Sequence, residues 1–129
     1  MKWVKAFNKL LLNFVKELSE VYNNAEYLVV YYNTVKLLIV NDETCCLNYF
    51  LKYVPQFSEQ IKSRNEDFFL KNSTEDNMSK VNFINGIKLK ELWLVSTDNT
   101  KDKIWQYFNT MLKASEMAKQ EIQTCAKTE

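Results

Sequence analysis

Apolar residues open the chain at positions 3, 7, 10, 11, 14, 18 and 21, while Lys5, Lys9, Asn13, Lys16 and Glu20 fill the positions between them. Spacing by threes and fours puts the apolar set on one side of a helix. The pattern predicts a helix over residues 3–22, stopped at Asn23-Asn24 because asparagine tolerates the left-handed turn that ends a helix. The next stretch, AEYLVVYYNTVKLLIVND, supports two readings. Its β-branched and aromatic residues suit a strand pair over 27–32 and 35–40, with Asn33-Thr34 as a poor turn. As a helix it sets Glu26, Asn33 and Lys36 on one face and Leu28, Tyr31, Val35, Leu38 and Ile39 on the other. A largely buried helix over 27–40 is the reading taken.

Asp42 then stands as a natural cap for a short amphipathic helix in ETCCLNYFLKYV, whose Cys46, Tyr49, Phe50 and Tyr53 form the apolar side. Pro55 ends it and starts the next helical turn, since proline suits a first helical position; Phe57 and Ile61 give that turn an apolar pair four residues apart. Residues 71–77 are all polar, so nothing there anchors to a core, and a mobile loop is expected. A further helix is expected over 78–96, with Val81, Ile84, Ile87, Leu92 and Val95 inward. Gly86 lies within it and would cost about 1 kcal/mol relative to alanine in a helix interior, or marks a kink. STDNT breaks the chain, with Asp98, Asn99 and Thr100 all able to cap. The last helix is expected over 101–124, with Ile104, Phe108, Met111, Leu112, Ser115, Ala118 and Ile122 as its inward stripe.

Composition supports the helical reading. One glycine and one proline in 129 residues are too few for the tight turns of a sheet-rich fold. A 47% hydrophobic content is enough for a packed core in a chain of single-domain size. Repeats, low-complexity tracts and linkers are absent. The prediction is one all-α domain over 1–129, of about five to seven helices, with the first, second and last helices forming the core.

Charge and chemistry mostly exclude. Seventeen basic against sixteen acidic residues, with Arg64 the only arginine, disfavour phosphate recognition. The opening residues lack the uninterrupted apolar run of a signal peptide, and the most apolar stretch, 27–40, is too short and too polar to span a membrane. An intracellular protein is expected. The chain has no histidine, which removes the commonest general base and metal ligand. In NDETCC the adjacent Cys45 and Cys46 point about 100° apart on a helix, unlike the paired spacing of a zinc site; with Cys125 they read as buried thiols. No glycine-rich phosphate loop exists. No cofactor, metal or catalytic residue is expected, and the chain reads as a non-enzyme.

The aromatic surplus carries the remaining hint. Trp105 lies about 100° from Ile104 on the last helix, Tyr107 about 100° from Phe108, and Trp93 is off the stripe of its own helix. Phe68 adjoins Phe69 in EDFF, where adjacent aromatics cannot both face one core. Either the last helix is buried on two sides or a flank meets a partner, since aromatics at interfaces bury large area behind a polar tip. The candidate partner-binding residues are Trp105, Tyr107, Trp93 and Phe68.

Phe7, Phe14 and Leu18 in the opening helix, DFF at 67–69, LW at 92–93 and KIWQYFNTML at 103–112 form a pattern that resembles small uncharacterised helical proteins of large nucleocytoplasmic DNA viruses. The resemblance implies an all-α domain made in an infected cell, in host cytoplasm or virion, and brings no catalytic residues. The expected function is a protein–protein interaction or structural module, virion-associated or acting on host machinery, with a protein partner or a second copy of itself. The alternative is a nucleic-acid-associated factor using Lys88, Lys90, Lys101 and Lys103. An enzyme using Glu66, Asp67 or a tyrosine ranks last.

Overall fold

The computed structural model describes residues 1–22, 26–66 and 89–128, without the side chains of residues 89–91 and 125–128. It is all-α, and no strand occurs among the described residues. In chain order the elements are α1 (Lys2–Val21), α2 (Glu26–Asn41), α3 (Cys45–Tyr53), a 3₁₀ turn (Pro55–Phe57), α4 (Ser58–Lys62), α5 (Leu89–Leu94) and α6 (Asp98–Thr128). Phe68, Asp67, Gly86, Lys88, the loop at 71–77 and the expected helix up to residue 88 lie outside the described residues.

α1 and α6 form the spine. Their apolar stripes meet antiparallel: Phe14 packs on Tyr107 and Phe108, with centroids 5.2 and 5.6 Å apart, while the start of α1 meets the end of α6. There the Trp3 backbone N–H donates to Glu121 Oε1 at 2.9 Å. α1 has no side-chain cap of its own, so this distant carboxylate satisfies one of its orphaned N–H groups and sits at the favourable end of the helix dipole. The predicted stripe of α6 holds: Ile104, Phe108, Met111, Leu112, Ser115 and Ala118 are buried, and Ile122 is partly buried.

Four helix starts and stops follow from single residues. Thr97 caps α6, its Oγ1 accepting from the Thr100 N–H at 3.2 Å, so the cap precedes the three residues predicted for it. Asp42 does not cap α3. Its Oδ1 takes the Thr44 N–H and hydroxyl, both at 3.0 Å, closing a turn that leaves Thr44 as the capping residue. Pro55 does occupy the start of its 3₁₀ turn, and Phe57 and Ile61 are buried as their spacing predicts. α4 ends in a Schellman motif, with the Asn65 N–H on Gln60 O at 2.8 Å and the Arg64 N–H on Ile61 O at 3.2 Å. Arg64 takes the left-handed position usually held by glycine, at φ 56°, and its guanidinium reaches Asp102 on α6. This contact holds the Asp102 carboxyl below its usual range, chiefly by hydrogen bonding.

Two packing expectations need correction. α2 is a helix, yet it is not largely buried: only Leu28 and Val35 are, with Tyr27, Tyr31, Tyr32 and Ile39 partly so. The helix rests on α1 and α3 from one side, which leaves Val29, Val30, Leu37, Leu38 and Val40 exposed. In α5 the inward residues are Leu92 and Trp93, and Val95 points outward. The short helix ends at Leu94, so the longer periodicity read over 78–96 does not set its orientation.

Candidate functional site

The two tryptophans of the predicted aromatic flank are buried, Tyr107 is partly exposed, and Phe68 lies outside the described residues. Trp105 is only 5% exposed and Trp93 only 1%. Their rings meet edge to face at 5.3 Å and 75°, a geometry aromatic pairs favour. Trp105 lies off the stripe yet is enclosed, with Trp93 of α5 against its ring and α4 packed on the same helix, where Asn109 Nδ2 donates both to Ile61 O and to Trp105 O. The Trp93 indole N–H donates to Glu66 Oε1 at 3.1 Å, and Lys101 Nζ lies 5.2 Å above the Trp93 ring and 3.5 Å from the same carboxylate. This closed cluster takes Trp105 and Trp93 out of the candidate contact surface. It also engages Glu66 and Lys101, two residues on which the enzymatic and nucleic-acid alternatives leaned. Tyr107 sits on the opposite flank of α6, half-buried against Phe14; burial first, then a hydrogen bond with Glu17, pushes its hydroxyl up to about 12.

The accessible apolar surface lies on α2 instead. On a helical projection Val30, Asn33, Leu37 and Val40 fall in line at spacings of three, four and three residues, with Val29 beside them. All five are exposed, Leu37 to 72% and Val40 to 84%. Spacings of three and four residues keep these positions on one face of the helix. The sequence signal was present: α2 is apolar around most of its circumference, and an all-apolar helix reads as buried on every side. Periodicity could not show that only one side is covered.

The inner edge of α2 borders a second feature, a cavity of about 380 Å³ between α1, α2 and α3. Phe7 and Leu11 form one wall, Val35 and Leu38 another, and Phe50 the base; Phe7 and Phe50 meet edge to face at 5.0 Å. The polar groups on its surface are hydroxyls and thiols, from Tyr31, Thr34, Tyr49, Cys45 and Cys46. Burial above all, then Cys45 and Asp42, pushes the Cys46 thiol up to about 11. Burial, with Cys46 and Tyr49 behind it, holds the Tyr31 hydroxyl well above the tyrosine range. Both groups are therefore neutral near pH 7. A protonated thiol is a poor nucleophile and a poor metal ligand. No group of three or more His, Cys, Asp or Glu residues suited to a metal occurs among the described residues.

A polar feature the sequence did not disclose lies nearby. Asn8 is buried on α1, where its Nδ2 donates to the Glu43 carbonyl at 2.9 Å and so ties α1 to the α2–α3 turn. Asn109 does the same for α4, donating to Ile61 O at 3.2 Å. Among the described residues no helix is long and apolar enough to cross a membrane. No protein-family model, curated protein or solved structure matches the chain. The class that can be stated is that of an all-α helical domain, and its function is argued from its surfaces.

Proposed function

We propose that the chain is a non-enzymatic protein-interaction module whose contact surface is the outer face of α2, and that the face fits the same helix of a second copy. The exposed line Val30–Asn33–Leu37–Val40 is the single observation that supports this. Four exposed valines and leucines on one short helix, counting Val29, are costly to leave in water. The pattern is also its own complement. An antiparallel two-fold axis at Val35 would set Val30 against Val40 of the partner helix and Asn33 beside its Leu37, so the line meets its own reverse. A polar asparagine within an apolar seam fixes register at some cost in strength.

Size bounds the strength. A helix of 16 residues is about 24 Å long, and one such face buries less than the roughly 800 Å² per partner of a standard stable interface. The pairing is thus concentration-dependent, suited to an assembly unit held by several weak contacts. The likeness to helical proteins of large DNA viruses would set such a unit in a virion or against host machinery; that setting belongs to the same proposal.

Sedimentation velocity from about 1 μM to 1 mM tests it. A monomer–dimer equilibrium is expected, and Leu37→Lys should shift it to monomer with an unchanged helical circular dichroism spectrum. A wild-type chain that stays monomeric throughout, or a dimer indifferent to Leu37→Lys, would remove α2 as the contact surface.

A further inference from the structure

The cavity between α1, α2 and α3 is independent of the outer face of α2, and its chemistry is selective. At about 380 Å³ it lies within the range of preformed small-molecule sites, roughly 300–1,000 Å³. It is more than twice the size of an engineered apolar cavity of about 150 Å³ that stays dry and binds benzene. Among the described residues no charged side chain lines it. A carboxylate, phosphate or ammonium group entering it would lose its hydration with no partner of opposite charge. Hydrocarbon suits the phenylalanine, leucine and valine walls.

One polar contact remains on offer. The Thr34 hydroxyl already donates to Val30 O at 2.9 Å. Tyr31, which is mostly enclosed and borders the cavity, makes no hydrogen bond among the described residues. Its hydroxyl has no protein acceptor among the described residues and is not sealed from water. We propose that this cavity is a binding site for an uncharged, largely hydrocarbon molecule carrying one acceptor oxygen, a ketone, ester or alcohol, with the Tyr31 hydroxyl donating to that oxygen. Tyr31 then acts as the specificity residue, and the absence of charge in the walls excludes acids and amines of the same length.

Three eight-carbon probes separate these elements: 1-octanol, octanoate and octylammonium, titrated into the full-length chain at pH 7 and followed by two-dimensional NMR. Octanol is expected to perturb Leu11, Val35 and Phe50 saturably at millimolar concentration, with octanoate and octylammonium at least tenfold weaker. Tyr31→Phe keeps the volume and removes the donor. It should weaken octanol about fivefold, the size of one ordinary hydrogen bond, and leave the charged probes unaffected. Leu38→Trp, at the half-open edge of the cavity, should abolish binding by filling it. Should that variant misfold, the site-resolved shifts of the wild-type chain still decide the matter. Leu37→Lys on the outer face should leave octanol binding intact, which separates this site from the dimer seam. The proposal is overturned by equal binding of octanoate, by Tyr31→Phe binding octanol as the wild type does, or by shifts confined to Val30, Leu37 and Val40.

Discussion

Replacing Trp105 by alanine distinguishes a buried tryptophan from a surface one more sharply than any other single change. A tryptophan side chain removes about 150–250 Å² from water, and at roughly 25 cal/mol per Å² that is about 4–6 kcal/mol as an upper value. Trp105 is 5% exposed, so nearly all of this applies. Truncations of buried tryptophan cost about 3–5 kcal/mol, and loss of the edge-to-face contact with Trp93 at 5.3 Å adds to the same total. A destabilisation of about 4 kcal/mol is expected, a large part of the roughly 5–15 kcal/mol that holds a domain folded. Equilibrium unfolding in urea, followed by circular dichroism at 222 nm, reads it directly. If Trp105→Ala does not fold, Trp105→Phe gives the same test at a smaller scale. The Trp93→Phe, Trp105→Phe double cycle should then show coupling of about 0.5–1.5 kcal/mol. A loss below about 1 kcal/mol for Trp105→Ala is the value for a surface residue, and it would refute the burial of Trp105.

Cys46 should be slow to alkylate. Its thiol, raised from 9.0 to about 11, holds about a hundredfold less thiolate at pH 7 than an ordinary cysteine; residue-resolved mass spectrometry against an unfolded control measures the ratio, and equal rates would contradict the burial. Because the folded values of Cys46 and Tyr107 are raised, their contribution to stability is complete below about pH 9 and is lost as the pH climbs through about 11 and 12. Cys46→Ala should soften the first part of that alkaline limb in a pH series of urea midpoints. Arg64→Gly relieves a left-handed residue worth about 1 kcal/mol while losing an exposed ion pair that water screens. The net expectation is no loss of thermal stability, and a clear drop in Tm would show that the contact with Asp102 matters more than the backbone.

The elements legible in the sequence were those whose environment is one-sided. α1 and α6 each bury one stripe, and a spacing of three and four residues reports a stripe faithfully, from Phe7 to Leu18 and from Ile104 to Ala118. α2 was legible as a helix but not in its exposure, because an apolar residue such as Leu37 reads alike whether a neighbour covers it or not. Trp93 and Trp105 failed in the opposite direction: each lies off its own helix's stripe, yet their rings meet and both are enclosed, a tertiary contact that periodicity does not report. Polar ties between distant segments were invisible for a similar reason. Nothing in the sequence near Asn8 points to Glu43, or near Trp3 to Glu121, since those bonds exist only once the helices have met. The exposure of α2 and the cavity beside it follow from tertiary placement, which periodicity does not report.

The joining of the two ends of the spine has a consequence for the order of events during synthesis. α1 is made first and α6 last, yet they are each other's main support, with Trp3 bonded to Glu121 across 118 positions of chain. Contacts so far apart in sequence close late. While the ribosome is still translating the middle of the message, Phe7, Phe14 and Val15 lack the cover that α6 gives them, and that part of their face is open to other nascent chains. Stalled or prematurely terminated products of this gene should therefore be sticky and short-lived, and the domain becomes safe from aggregation only when its final helix is released.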